Sequence, residues 1–293
     1  MVKEEDLPYL QRGRKAVATE STALISSSKY LNDYRIREWI TTQTLKRNGR
    51  DMPPTYGIPM LIEAVREIQD HARIEALFNE ARLGWPELDT WLDERWLARL
   101  TREDMASCPE GSLGGIWYKQ LKGANMEVDI IPTFEPRSSF EYFFLRGVQI
   151  HDFMHILGGG GFDGLGEIIP AYLKYGNLFR YFSPELAGLL NVQNTLLTVP
   201  MFVRGPLHYP ELFLKMWDLA EHGMRIGRES DPLFLPHYED WLDLPLEEAR
   251  RKFGVRGAYT IDTSRESAFW DERIASLDDG PDGDPMPKAI AAE

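Results

Sequence analysis

Within "IHDFMHILGGGGFDGLGE" (residues 150–167), four consecutive glycines at 158 to 161 are followed by two more at 164 and 166. A residue without a Cβ loses the most backbone entropy when ordered, so a helix reaching this run cannot cheaply continue and the chain must turn. The flanks constrain the turn further. Upstream, Ser138 and Ser139 suit the cap of a helix beginning after Pro136. Downstream, Pro170 fits the first turn of a helix starting near Glu167, where no amide hydrogen is needed. The stretch reads as helix, glycine elbow, helix.

Helical spacing dominates elsewhere too. From Pro59 to Leu83, the residues Leu61, Ile62, Val65, Ile68, Ile74, Leu77 and Phe78 recur at three- and four-residue steps among charges, an amphipathic pattern. A second helix runs from Pro86, with Trp91, Leu92, Trp96 and Leu100 on its inner side. An earlier one covers residues 21 to 47, stopped by Gly49, Pro53 and Pro54. Further helices are expected over 113–122, 138–157, 167–181, 184–199, 209–228 and 245–253. Gly254 closes the last after Arg250, Arg251 and Lys252, whose charges suit a helix C-terminus. Only "MEVDIIPTF" (126–134) alternates as a strand would, and weakly; nothing alternates strand with helix as a parallel sheet requires. The expected fold is all-α, a multi-helix bundle with an apolar cleft between helices. It is read as one domain: a mobile N-terminus over 1–20, a helical extension over 21–83, a core over 84–261, and a polar, Gly/Pro-rich tail over 262–293.

A chain of 293 residues that is 43% hydrophobic can build a sizeable core. Its 33 basic and 46 acidic residues give a net charge of −13, which argues against a broad phosphate-binding surface and against nucleic acid as a partner. Cys108 is the only cysteine, excluding an intrachain disulfide and a thiolate metal site. A reducing, cytosol-facing compartment is the natural expectation. The opening "MVKEEDLPYL" has neither a signal core nor transit-peptide character. The longest apolar stretch, "LAGLLNVQNTLLTVPMFV" (186–203), is broken by Asn, Gln, Thr and Pro200 and reads as a buried or interfacial helix.

His151 and His155 lie four residues apart, hence on one helical face, the geometry of His-x-x-x-His zinc sites. Val148 and Phe144 continue that face as an apolar wall. Asp152 stands about one hundred degrees round the helix and would join only from the edge, or orient an imidazole from behind. Beyond the elbow, a returning helix would bring Glu167 to the pair. The resulting N₂O₂ set of His151, Asp152, His155 and Glu167 suits one divalent transition metal: zinc first, with iron, cobalt or manganese as alternatives. The competing reading makes these ordinary polar residues of a helix and a loop. Three other motifs compete. Gly159-x-Gly161-x-x-Gly164 matches a dinucleotide pattern but follows a helix, not a strand. His151-Asp-x-x-His155 is a protease-like motif with its general base shortened by a methylene. The His–Asp doublet also occurs in helical phosphohydrolases, for which His71 and Asp163 or Asp218 would have to serve.

His151-Asp152-x-x-His155, eleven residues ending in Gly166, then Glu167 resembles the signature of the ubiquinone (coenzyme Q) biosynthesis protein 4 family. "PEGSLGGIWYKQL" (109–121) and "HYEDWLDLPLEEARRKFGV" (237–255) are similar to its flanking segments, so the likeness covers residues 80 to 255. The chain keeps the family's Arg at 146 but carries Val148 and Gln149 where a second Arg and a Glu are usual, and "IIPAYLKYG" where a Lys and an acidic residue often follow. The resemblance implies a metal-dependent oxidative decarboxylase acting at C1 of a polyprenylated hydroxybenzoate-like ring. It implies a peripheral position on the cytoplasmic face of the inner membrane, contact with other quinone-biosynthesis enzymes, and a homodimer as one assembly. The metal centre itself would carry the chemistry, with Arg146 behind the ligands. A prenyl tail would need an apolar trough, for which "FEYFFL" (140–145), "YGNLFRYF" (175–182) and 186–203 are the expected lining; ordinary core is the plainer reading of each. A non-catalytic lipid-binding scaffold and a metal-dependent hydrolase are the alternative functions. Cys108, His208, His222 and His237 read as structural.

Overall fold

The apolar spacing becomes thirteen α-helices and no strand among the residues described by a computed structural model of the chain, which are 25–48, 57–128 and 134–277. The mobile start expected over 1–20, the helix stop at Gly49, Pro53 and Pro54, and most of the weak strand fall outside them. The all-α expectation holds.

Several long periodic stretches are broken by local side-chain chemistry. The helix expected over 21–47 is α1, Tyr34–Leu45, begun by the Asp33 carboxylate accepting from the Arg35 amide. The pattern from Pro59 to Leu83 divides into α2, Ile58–Ile68, and α3, His71–Arg82, because the Asp70 carboxylate caps the new helix by accepting from the Arg73 amide at 3.0 Å. A short acidic side chain that bonds its own downstream backbone competes with helix continuation. Helix α4, Pro86–Glu94, ends where Arg95 turns left-handed at φ 47°, leaving Trp96 and Leu100 outside it. Next come α5, Leu113–Ala124, α6, Ser139–Gln149, and α7, His151–Gly158. The last two occupy the single helix expected over 138–157, and they part at Ile150. After α8, Ile168–Tyr181, the stretch from 184 bends by 68° between α9, Pro184–Leu190, and α10, Val192–His208. No single helix among the described residues is long and apolar enough to cross a membrane.

Helices α8 and α11, Phe213–Glu229, meet backbone to backbone. A Cβ at Gly223 would lie 2.4 Å from the Ile169 carbonyl, and one at Gly227 would lie 2.1 Å from that of Leu173. Only glycine permits this approach, and it fixes the helix that follows the elbow. Around the pair lie three cores. The largest joins α3 to α7 and α9, with Phe78, Trp91, Phe143, Phe153, Phe182 and Phe234 buried together. Each such aromatic contributes about 1.5–3 kcal/mol over leaving it exposed. Helix α3, placed on the extension side of residue 83, packs here with the residues that follow it. A smaller core buries Leu165, Ile168 and Ile169 against α11 and α13, Ser264–Trp270. This helix lies where a polar tail was read, and it buries Phe269 and Trp270 beside Tyr209. The third core packs α1 and α2 on α10.

The two segments flanking the histidine motif are neighbours in space. The amides of Leu113 and Gly114 donate to the carbonyls of Leu244 and Leu242 at 3.0 and 2.8 Å. Helix α12, Leu246–Lys252, then leans on α7, where the Arg250 guanidinium donates to the Leu157 carbonyl at 3.0 Å.

Candidate metal centre

Helix α7 starts at His151 and ends at the elbow, so both histidines sit within two turns on one face. The His155 ring is buried at 1% exposure and stacks on Phe162, with centroids 4.9 Å apart. Its Nδ1–H donates to the Gly161 carbonyl at 2.8 Å. In the neutral ring, that bond leaves the Nε2 lone pair free. Nε2 faces His151 Nε2 at 3.2 Å. Glu167 closes the triangle, its Oε2 lying 3.3 Å from His151 Nε2 and 3.4 Å from His155 Nε2. Two ring nitrogens facing each other at this distance repel unless a proton or a cation lies between them. A carboxylate oxygen at the same point makes the set one of mutually converging donors.

The elbow is held from outside. Gly159 has φ +84°, and a Cβ there would meet the Tyr259 carbonyl at 2.0 Å. The Gly159 carbonyl accepts from the Ile261 amide at 2.8 Å. Further along, the Asp163 carboxylate accepts from the Gly166 amide at 2.9 Å, from Thr263 Oγ1 at 2.8 Å and from Ser267 Oγ. Ser267 Oγ also accepts from the Leu165 amide at 3.0 Å. Residues 259–267 thus strap the loop that supplies both the acceptor for His155 and the approach to Glu167.

Three of the four expected ligands are brought together. Asp152 is the exception: its Oδ2 accepts from Trp117 Nε1 at 2.7 Å. The donor comes from α5, inside "GIWYKQL", and its role was not legible there. Arg146 is buried but turned to other partners. Its Nη1 donates to Glu239 Oε1 at 2.8 Å and to Gln149 Oε1 at 2.9 Å, with the guanidinium 4.8 Å from the Trp96 ring centre. Two of the residues a phosphohydrolase would enlist are engaged elsewhere: His71 Nε2 bonds the Arg66 carbonyl, and Asp163 belongs to the strap. His208 Nε2 bonds the Thr44 carbonyl, His222 Nε2 the Gly158 carbonyl, and His237 stacks on Trp96.

The electrostatics of the triangle are reciprocal. Burial works against a charged His151, yet hydrogen bonding and attraction from Glu167 outweigh it and raise the imidazole above its ordinary value. Burial would likewise raise Glu167, but the two imidazoles hold it well below the usual carboxylate range. Two imidazole nitrogens and one carboxylate oxygen form a three-ligand set of the kind that leaves a further position for a small ligand on zinc. Nearby on α8, burial pulls the Lys174 ammonium down to about 8.

A cavity of 380 Å³ lies between α1 with the turn before it and α10, lined among others by Tyr30, Ile40, Val192, Leu196, Val199 and Val203. The apolar cleft is therefore present, but its walls differ from those read in the sequence. Phe140, Tyr142, Phe143, Leu178 and Phe182 are main-core residues; of the three expected stretches only 186–203 lines it, opposite the N-terminal extension. Val199 and Val203, at the mouth of this cavity, continue to Leu207 as a partly exposed stripe at four-residue steps along α10.

No family model and no curated protein matches the sequence. The fold is similar to the crystal structure of the "Putative ubiquinone biosynthesis protein" of Nostoc punctiforme PCC 73102, with a TM-score of 0.59 and 20% identity. The match covers 78% of this chain and 98% of that one. At that identity the likeness is one of fold.

Proposed function

We propose that the protein is a metal-dependent enzyme of ubiquinone-type biosynthesis that removes the C1 carboxylate of a polyprenylated hydroxybenzoate-like ring and leaves a hydroxyl in its place. The observation that carries this reading is the convergence of His151 Nε2, His155 Nε2 and Glu167 Oε2 on one point. The fold likeness to the Nostoc punctiforme protein and the sequence signature support it. A divalent ion held there would supply Lewis acidity toward the carboxylate or phenolate and stabilise the electron density left on the ring as carbon dioxide departs. His151, His155 and Glu167 would hold that ion. The Gly161 carbonyl keeps His155 in the tautomer that offers Nε2, and Asp152 with Trp117 steadies the first turn of α7. Putting oxygen on the ring is a two-electron oxidation, for which dioxygen is the proposed reagent: the ring acid, dioxygen and one water give the ring hydroxyl, carbon dioxide and hydrogen peroxide.

The cavity beside α10 offers an apolar wall for a prenyl tail, and the Val199–Val203–Leu207 stripe with exposed Trp217 and Leu214 offers contact with a membrane surface, from which such a substrate would enter. Incubating zinc- or iron-loaded protein with a prenylated 4-hydroxybenzoate in air tests the reading. The expected product has lost carbon dioxide and gained a ring hydroxyl, and His155→Ala forms none. Tight binding of the lipid without turnover under any metal would instead favour the scaffold reading, and release of phosphate from a phosphate ester the hydrolase.

A further inference from the structure

Lys174 stands seven residues after Glu167 on α8, with Ala171 between them. Seven residues bring a helix back to within about 20° of the same face. Over that span the helix rises about 10 Å, and helical side chains lean toward the N-terminal end. The Lys174 stem therefore points back along α8 toward Glu167 and the histidine pair, over the small side chain of Ala171. Its charge reaches His151, consistent with that direction.

Among the described residues, Lys174 makes no ion pair and no hydrogen bond. Glu167, the acidic group on its face, is turned to the imidazoles instead. A half-buried ammonium without a partner is unfavourable, so the position favours an anion arriving from outside. Access exists: the side chains of His151 and Glu167 are 37% and 50% exposed.

We infer that Lys174 is an anion anchor beside the candidate cation site, binding one oxygen of a ligand carboxylate whose other oxygen faces His151, His155 and Glu167. The inference rests on the cation-site reading and adds to it: the ligand class is a carboxylate, held between two positive centres. A single ammonium and a single ion match the two oxygens of one carboxylate. Lysine serves such sites as a point charge.

The test uses cobalt-substituted full-length protein titrated with benzoate, followed through the cobalt visible bands. Wild type should bind benzoate. Lys174→Met should raise the benzoate Kd about tenfold or more, the loss expected for a hydrogen bond to a charged group, while taking up cobalt normally. Lys174→Arg should stay within about threefold of wild type, because the charge is kept. The Met variant should also melt at or above the wild-type temperature, since an unpartnered, half-buried charge has been removed. Unchanged benzoate binding in cobalt-loaded Lys174→Met, no benzoate response in the cobalt-loaded wild type, or a lowered melting temperature in the Met variant each overturn the inference. Wild type that takes up no cobalt overturns the cation-site reading instead, and the metal content alone reports it.

Discussion

His155 donates its Nδ1 proton to the carbonyl of Gly161, six residues on, and so aims Nε2 at His151. The bond couples the direction of a ligand lone pair to the shape of the elbow. His155→Ala removes the donor and leaves the Gly161 carbonyl unpaired, which costs about 1–3 kcal/mol. Purified wild type is expected to carry about one transition metal ion per chain, the variant a small fraction of that, with helical circular dichroism retained. Full metal content in a folded His155→Ala protein would sink the site.

Asp152 and Glu167 should behave differently. Asp152→Asn keeps an acceptor for Trp117, so zinc affinity should fall by no more than about tenfold, the lower end for a residue behind the ligands. Glu167→Gln replaces a charged donor of the triangle and should lose more than about a hundredfold, beyond that range. Equal losses, measured by competition with a chromophoric chelator, would restore Asp152 to the ligand set.

The pH response of the metal-free protein follows from the paired shifts. The raised His151 stabilises the fold below the ordinary imidazole value, and that contribution is lost as pH rises through its raised value. The depressed Glu167 stabilises the fold above the ordinary carboxylate value, and its contribution is lost as pH falls through the depressed value. The metal-free melting temperature should therefore peak between about pH 4.3 and 6.5 and decline toward alkaline pH. Zinc affinity should climb over the same alkaline interval, because the ion must displace the His151 proton. Parallel rather than opposite slopes in melting curves with and without zinc would contradict the pairing.

Thr263→Val deletes the hydroxyl that Asp163 accepts from, and Thr263→Ser retains it. The Val variant should lose about 1 kcal/mol of stability and release zinc to a chelator several-fold faster, with Ser restoring the wild-type rate. A release rate unmoved by Thr263→Val would detach the strap from the site.

Val192→Phe places a ring in the cavity against α1, at an overpacking cost of about 1–3 kcal/mol. Zinc content should not change, while the preference for a long-tailed over a short-tailed prenyl hydroxybenzoate should shrink. An unaltered tail preference in binding assays would place the tail elsewhere.

The helical class was legible because Leu61, Val65, Ile74 and Phe78 repeat at helical steps whatever their neighbours do. The breaks between those steps were not, because each depends on one side chain choosing its own backbone, as Asp70 does when it caps α3. Three of the four expected ligands could be placed from spacing alone, since four residues stack two imidazoles and a glycine run forces the return of Glu167. The fourth could not: whether Asp152 faces a cation or Trp117 is decided by α5, some thirty residues upstream. Lys174 was visible only as a departure from the resembled signature. Its isolation depends on where Glu167 turns. Residues 262–277 read as tail because their charges, and the glycines at 280 and 283 that follow, hide Phe269 and Trp270, which are apolar but adjacent.

The strap also sets an order of events. Asp163 meets Thr263 across 100 residues and Ser267 across 104, so during synthesis every proposed ligand leaves the ribosome long before the groups that lock the elbow. A nascent chain paused ahead of Thr263 would hold both imidazoles and Glu167 on an unlatched hinge. Ion capture would then follow the synthesis of residues 263–267, and a frameshift that removes α13 would silence a centre it never touches.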